Sequence, residues 1–328
     1  MAAVYPVVGP FATSTSYSGS FIPTLWSSKL NAKFYTASVF GEISNTNWEG
    51  EIKELGDKVT INNIPDITVS NYTVGAGLNY QVPTPSTITM NIDKGKYFAF
   101  QVNDVLEYQS KPKLMDVFSN DASMQMKVAI DSTVIYNTFS SAAAANIGTT
   151  AGAKSASYNL GSDDVPITLS GSTILPLLTA LSGVLDEQNV PETDRWLVID
   201  PATRQWLMQS PLAQAQFMGD STSMVRNGRI GMIDRFTVYV SNNLPRASAG
   251  SNTAYNSGDG SESSITSTGD NKRRIILAGH KSAITFASQM TKVEQVRNPT
   301  DFGDYVRGLN IYGYKVAKDT SLTYAVVS

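Results

Sequence analysis

His280 is the only imidazole in the 328-residue chain, and there is no cysteine. An acyl-transfer serine needs a histidine base that a carboxylate orients. Around this histidine the sequence reads Ala278-Gly279-His280-Lys281, a strand end and a turn, and no G-x-S-x-G elbow occurs anywhere. One histidine without cysteine leaves zinc short of its usual nitrogen and sulfur ligands. Asp163-Asp164 offers two carboxylates, but calcium takes about six or more oxygens, and adjacent acids in a polar loop read as solvated. Glu49, Glu51 and Glu54 have acid-base spacing, with 49 and 51 on one face of a strand; as surface carboxylates they need no further role. Neither G-x-x-x-x-G-K-[ST] nor a G-x-G-x-x-G after a strand is present, and Gly75-Ala76-Gly77 is too short to cradle phosphate. The residue types therefore support no enzyme, no cofactor and no metal.

The elements that would position any site belong to more than one lobe, because the length exceeds what one compact core serves. Charged residues make up 16% of the chain, against roughly 25% in soluble domains. Such a surface is either covered by partners or made polar by Ser, Thr and Asn. The net charge of −3 argues against a global affinity for nucleic acid. From Asn271 onward nine Lys/Arg face four Asp/Glu. There Lys272-Arg273-Arg274 could touch phosphate, but reads better as a solvated gatekeeper beside the apolar Ile275-Ile276-Leu277. The first basic residue is Lys29, which predicts no secretory leader. The nearest approach to a membrane span, Ile174 to Leu185, falls short of about 18 residues and contains Pro176. A soluble protein is expected, with the sequon at Asn71-Tyr72-Thr73 a chance match.

Met1 to Ser20 carries no charge and no period, so it reads as an arm that orders only on another surface. Phe21, Ile22, Leu25, Trp26, Leu30 and Phe34 follow at mostly helical spacing, with Pro23 suited to a first turn. From Glu51 to Lys94 the pattern alternates: Ile67 and Val69 in one arm, Ile88, Met90 and Ile92 in the other, with Gly75, Gly77, Pro83 and Pro85 between. This predicts a long hairpin whose arms of about 20 residues reach about 65 Å. An isolated ribbon is marginal in water, so it must lie on another surface. Phe98, Phe100 and Val102 predict a strand that pairs with strands near the C-terminus. Lys113 to Phe139 predicts a helix, its stripe formed by Val117, Met124, Val128, Ile135 and Phe139. Ser140 to Ser162 reads as an exposed excursion and Gly171 to Glu187 as a helix.

Trp196 to Ile199 is an apolar run that predicts a strand covered on both faces, and Asp200-Pro201 predicts a capped helix start. In RNGRIGMIDRFTVYVSNNLP (Arg226 to Pro245), Asn227-Gly228 is a hairpin-turn dipeptide. Phe236, Val238 and Val240 then alternate with polar or aromatic neighbours, up to Pro245. Arg246 to Asn271 is a Ser/Gly/Asn/Thr loop. Ile284 and Phe286, then Leu309 and Ile311, predict further strands, with Gly303, Gly308 and Gly313 as candidate bulges.

The Arg226–Pro245 stretch resembles a segment of tailed-phage major capsid proteins of the Hong Kong 97-type fold. So do NVPETDRWLVIDPATRQWL (Asn189 to Leu207) and AGHKSAITFASQMTKVEQVRNPTDFGDYVRGLNIYGYKV (Ala278 to Val316). FIPTLWSSKLNAKFY (Phe21 to Tyr35) and EIKELGDKVTINNIPDITVSNYT (Glu51 to Thr73) are similar to the same family. The blocks keep the family's order and cover most of the chain.

The resemblance implies a mixed α+β fold. It divides the chain into an N-terminal arm (1–50), an extended hairpin loop (51–95), a peripheral domain (96–165 and 282–328) and an axial domain (166–281). The peripheral domain would hold a spine helix at about 113–139. It implies a subunit of an icosahedral virion shell around double-stranded DNA, a homo-oligomer of pentamers and hexamers assembled in the host bacterial cytoplasm. The expected partners are a separate scaffolding protein, a portal protein, a cement protein, and DNA held weakly on the inner face. Subunit contacts are expected at Phe21, Trp26, Ile67, Val69, Tyr72, Ile88 and Met90. Some family members join a lysine to an asparagine covalently; Lys53, Lys58 and Lys94 lie on or near the hairpin, without a partner to assign. The alternatives are an encapsulin-like nanocompartment shell, a soluble two-lobed ligand-binding module and, third, a hydrolase using His280.

Overall fold

The computed structural model describes residues 38–47, 58–65, 67–75, 77, 80–104, 108, 114–162, 165–210, 231–245, 273–300 and 302–328. Phe21, Trp26, Glu49, Glu51, Glu54, Asp163-Asp164, the Asn227-Gly228 turn and the Arg246–Asn271 loop lie outside them.

In chain order the elements begin with α1 (Phe40–Ile43), β1 (Ser44–Asn45), β2 (Lys58–Asn63), β3 (Ser86–Asn91), β4 (Lys94–Asn103) and α2 (Leu114–Thr138). They continue with α3 (Ile174–Glu187), β5 (Arg195–Ile199), α4 (Pro201–Met208), β6 (Met232–Ile233), β7 (Phe236–Val240) and β8 (Arg274–His280). Two long strands, β9 (Ile284–Arg297) and β10 (Gly303–Val316), precede β11 (Leu322–Val327). One sheet has the order β1-β9-β10-β4, a second β11-β8-β5-β7-β6, and β2 pairs with β3 as a ribbon. β10 is antiparallel to both β9 and β4, with Gly308 opposite Phe98, as the late-strand pattern predicted. β9 and β10 thus serve the four-stranded sheet, whereas β11 pairs with β8 in the five-stranded one.

β5 explains the layering. All five of its residues are buried, because both of its faces are covered. Leu197 and Ile199 join a core with Leu177, Leu178, Leu181 and Leu185 of α3 and Leu207 of α4. Trp196 and Val198 join a second core with Ile130, Val134 and Ile135 of α2 and with Ile284 and Phe286. The one charged residue of the strand, Arg195, has its side chain fully buried. It donates to Pro191 O at 2.8 Å, Val190 O at 2.6 Å and Asp186 Oδ1 at 2.7 Å, as a buried charge requires.

α3 and α4 start where local chemistry allows. Ser170 and Thr173 exchange bonds, backbone N of each to the hydroxyl of the other, at 2.8 and 3.2 Å. Pro176 sits in the first turn, where its missing N–H costs no bond. Asp200 caps α4 by accepting from Thr203 N at 2.9 Å, with Pro201 as the first helical residue. Burial pushes the Asp200 carboxyl up, but the bonds from Thr203 and the nearby Arg274 outweigh it and hold it below the ordinary value.

Several expectations need correction. Ser140 to Ser162 is no exposed excursion: Asn146, Ala151 and Leu160 are fully buried. Asn146 Nδ2 donates to Thr320 O and Leu322 O at 2.7 and 2.9 Å, so the segment is stapled beside β11. Within the basic triplet, Arg273 is buried, and Arg274 is half-buried with its guanidinium 3.3 Å from Asp200. These two cations are structural rather than solvated gatekeepers.

The described hairpin turn between β6 and β7 is Asp234-Arg235, both at positive φ of 43° and 67°. That is the geometry of a type I′ turn, made here without glycine. The bulge in β9–β10 does not fall on the candidate glycines. It lies where Ile311 and Tyr312 face Met290 and Ser288, leaving Gln289 over. Gly308 instead permits close approach, since a Cβ there would stand 2.3 Å from the Phe98 ring.

The α2 stripe is only half right. Ile135 and Phe139 are buried, but Val117 and Met124 are exposed. The C-terminal half of α2 packs into the core that also holds Trp196, Val198 and Leu277 of the five-stranded sheet, whereas the N-terminal half lies beside β4 and lines its groove with Phe118, Ala122 and Met126. At the junction sits Asp131, fully buried. Its Oδ1 accepts from Val39 N at 2.8 Å and Phe40 N at 2.7 Å, and its Oδ2 from Asn243 Nδ2 at 2.6 Å. Burial raises its pKa more than these bonds lower it. One carboxylate therefore ties together α2, the entry into α1 and the segment after β7.

Candidate assembly surface

The ribbon has an anchored base and an uncovered extension. β2 and β3 pair from Lys58 opposite Asn91 to Asn63 opposite Ser86. One face of this base packs on the body: Val59, Met90 and Ile92 share a small core with Ala287, flanked by Ile61 and Ile311. Beyond Asn63 the ladder stops. The expected strand through Ile67 and Val69 does not form among the described residues, although Thr68 N donates across the ribbon to Gln81 Oε1 at 3.0 Å. The chain reverses near Val74-Gly75, where Gly75 has a φ of 86°.

This extension is apolar and exposed. Ile64, Ile67, Val69, Tyr72, Val74, Tyr80 and Val82 have between 67% and 93% of their surface open. Soluble monomers rarely show such a contiguous set. Ile67, Val69 and Tyr72 were legible in the sequence. Ile64, Val74, Tyr80 and Val82 were missed, because they follow no period; their only signal is apolar residues among Gly, Pro and Asn with no amphipathic pattern to hide them. Ile88 is half-buried. Met90 does not join the open set: it is fully buried within its own chain. Its alternation marked a real strand, whose inward face is already used.

A second apolar surface runs between the N-terminal half of α2 and β4. Phe98 and Phe100 of β4 face Phe118, Ala122, Met126 and Ala129 of α2 across a cavity of about 490 Å³. The Phe100 and Phe118 rings meet edge to face at 6.0 Å, yet Phe118 keeps 43% of its surface open. Asp121 and Gln125 stand along the same groove.

The residues that suggested chemistry are structural where they are described. His280 ends β8, with Nδ1 accepting from Ser282 N at 3.1 Å and 2.8 Å from Ser282 Oγ. Burial lowers its pKa, against the nearby Asp194 carboxylate, which raises it. Among the described residues no three His, Asp or Glu side chains are grouped to hold a metal, and no helix is long and apolar enough to cross a membrane.

Comparison with known proteins places this architecture. A family model described as phage capsid protein matches residues 86–324, well over half of the chain. No curated protein sequence matches. Among solved structures, one from Mycobacterium phage Che8 is 22% identical, with a TM-score of 0.70 over 93% of this chain and 96% of that one. The capsid of cyanophage P-SCSP1u is 17% identical, with a TM-score of 0.67 over 94% and 93%. The mature capsid of bacteriophage PhiM1 is 13% identical, with a TM-score of 0.65 over 98% of both chains. Identities this low speak for the fold, and the family match speaks for the role. The chain belongs to the phage capsid protein family, as a tailed-phage major capsid protein of the Hong Kong 97-type fold.

Proposed function

We propose that copies of this subunit close into an icosahedral shell around packaged double-stranded DNA by laying the 64–85 extension of each hairpin on a neighbour. The observation that carries the reading is the row of seven exposed apolar side chains on a segment with no covering mass of its own. Ile67, Val69 and Tyr72 are the contact residues, with Ile88 at the margin. Met90 drops out, because its own subunit buries it. The charge-free residues 1–20, with Phe21, would cross the same boundary. Identical patches repeat under closed symmetry, and many modest contacts add up through multivalency.

The five-stranded lobe, about 166–281 together with β11, would surround the fivefold and quasi-sixfold axes. α2, β4, β9 and β10 would form the peripheral lobe. Scaffolding, portal and cement proteins are the expected partners of such a shell, and DNA contacts on an acidic subunit would be weak and blind to sequence. Negative-stain microscopy of purified protein, with and without its scaffold, tests the reading. Uniform polyhedral particles are expected from the intact chain, and soluble capsomer-sized material from a chain lacking Thr68 to Pro85. Closed shells from the deletion would refute the role given to the extension.

A further inference from the structure

We propose that the first arm of the extension, Ile67 to Thr73, adds as a strand to the free edge of β4 on a second copy of the chain, with Ile67 and Val69 roofing the groove between β4 and α2. The inference rests on the extension lying on a neighbour, and adds where it lies and by which bonds.

Both partners have backbone to offer. β4 ends the order β1-β9-β10-β4, and from Tyr97 to Val102 its only backbone bonds among the described residues run to β10. In an antiparallel pair alternate residues turn N–H and C=O away from the partner, so this edge presents a row of unused donors and acceptors. Between Ile67 and Thr73 no bond from backbone to backbone forms among the described residues. The Thr68 amide donates across the ribbon to Gln81 Oε1 at 3.0 Å. Drawn out as a strand, the arm therefore turns the N–H groups of Ile67, Val69, Asn71 and Thr73 to its outer side, because successive amides alternate. An added strand takes its affinity from such main-chain bonds and its selectivity from alternate side chains.

Composition separates the two arms. Ile67 to Thr73 holds four β-branched residues and no proline, whereas the returning arm carries Pro83 and Pro85. Proline cannot donate and suits an outer edge, so the returning arm would close the enlarged sheet. The side chains agree with this order. Phe98 and Phe100 of β4 face α2, where the Phe100 and Phe118 rings meet, while Tyr97 and Ala99 turn to the opposite face. Ile67 and Val69 share one face of the arm, and beside Phe98 and Phe100 they cover the apolar wall that leaves Phe118 open. No residue from 67 to 92 is charged, so this roof brings no charge over that wall. Within one subunit the two surfaces stay apart, with Val69 almost wholly open. The partner is therefore another copy.

Amide hydrogen exchange on full-length subunits, free and in shells, tests the bonds. Shell formation should slow exchange roughly ten-fold or more in both 67–73 and 97–101, since paired amides open only with the sheet. Unchanged exchange in 97–101 would overturn the proposal. The absence of cysteine allows a second test. Subunits carrying Ala99→Cys are mixed with subunits carrying one of Thr68→Cys, Val69→Cys, Ser70→Cys, Asn71→Cys or Tyr72→Cys, assembled, and mildly oxidised. Positions 68, 70 and 72 share the face of Ala99, so one of them should give mixed dimers in roughly ten-fold higher yield than 69 or 71. Equal yields throughout, a preference for 69 or 71, or no mixed dimers would each overturn the proposal. Should Ala99→Cys subunits fail to assemble, Gln101→Cys asks the same question from the same face. Shells that close without these bonds refute this docking place alone, whereas shells from the chain lacking Thr68 to Pro85 refute the role of the extension itself.

Discussion

β5 and the 64–85 extension are built from the same kinds of residue and end in opposite states. In β5, Leu197 and Val198 are wholly enclosed, one face under α3 and α4 and the other under α2. In the extension, Val69 is 93% open. Apolar content therefore does not separate core from exposed extension in this chain; what separates them is the mass available to cover each segment. β5 is covered on one side by its sequence neighbours α3 and α4 and on the other by the distant α2. Among the described residues, none shelters the extension beyond its base on Ala287 and Ile311. Covering seven such side chains on a neighbour would contribute on the order of 10 kcal/mol per subunit before ordering costs.

That contrast can be broken at either end. Replacing Ile67, Val69 and Tyr72 together by serine should abolish shells in microscopy while leaving the subunit's urea midpoint unchanged; an equal loss of stability would make the extension part of the fold. Leu197→Ala should do the reverse, lowering stability by about 2–5 kcal/mol, with shells still forming under native conditions from the fraction that folds. Gly308→Ala sits between the two. Its new Cβ meets the Phe98 ring, and overpacking of this kind costs about 1–3 kcal/mol. Adding Phe98→Leu should recover part of that loss in the same unfolding assay, and no recovery would point to backbone strain instead.

Asp200→Ala should have the smallest effect, about 1 kcal/mol for a lost cap, and its pH dependence is diagnostic. The folded carboxyl is held below its ordinary value, so its contribution is present above the unfolded pKa and lost as pH falls through the folded one. Mutant and parent should therefore draw together only as the pH falls below the ordinary aspartate value of about 3.9 and on through the lower folded one. A difference that persisted at lower pH would assign the effect to packing rather than charge.

Much of the fold was legible because local rules and tertiary demands agree. The run Trp196 to Ile199 required cover on both faces and has it. Asp200-Pro201 named a helix start that α4 has, and the spacing in Lys113 to Phe139 set the length of α2 to within a residue or two. What periodicity could not convey is which part of an element finds a neighbour. Val117 and Ile135 belong to one stripe, yet only the second lies over a sheet. The hidden roles of Asn146 and Arg274 were illegible for a related reason: polar residues in a polar stretch look solvated until distant carbonyls or carboxylates close around them. For the exposed apolar set, alternation singled out Ile67 and Val69 but counted Met90 with them, because period two identifies a strand without saying which face its own chain will claim.

The strand shared by both cores has one more consequence. Trp196 and Val198 look into one lobe while Leu197 and Ile199 look into the other, like a single wall between two rooms. Neither room can lose that wall alone, so heat that loosens one should loosen both in one cooperative melt. A load on either room would then be met by the whole subunit as one tile rather than by two hinged halves.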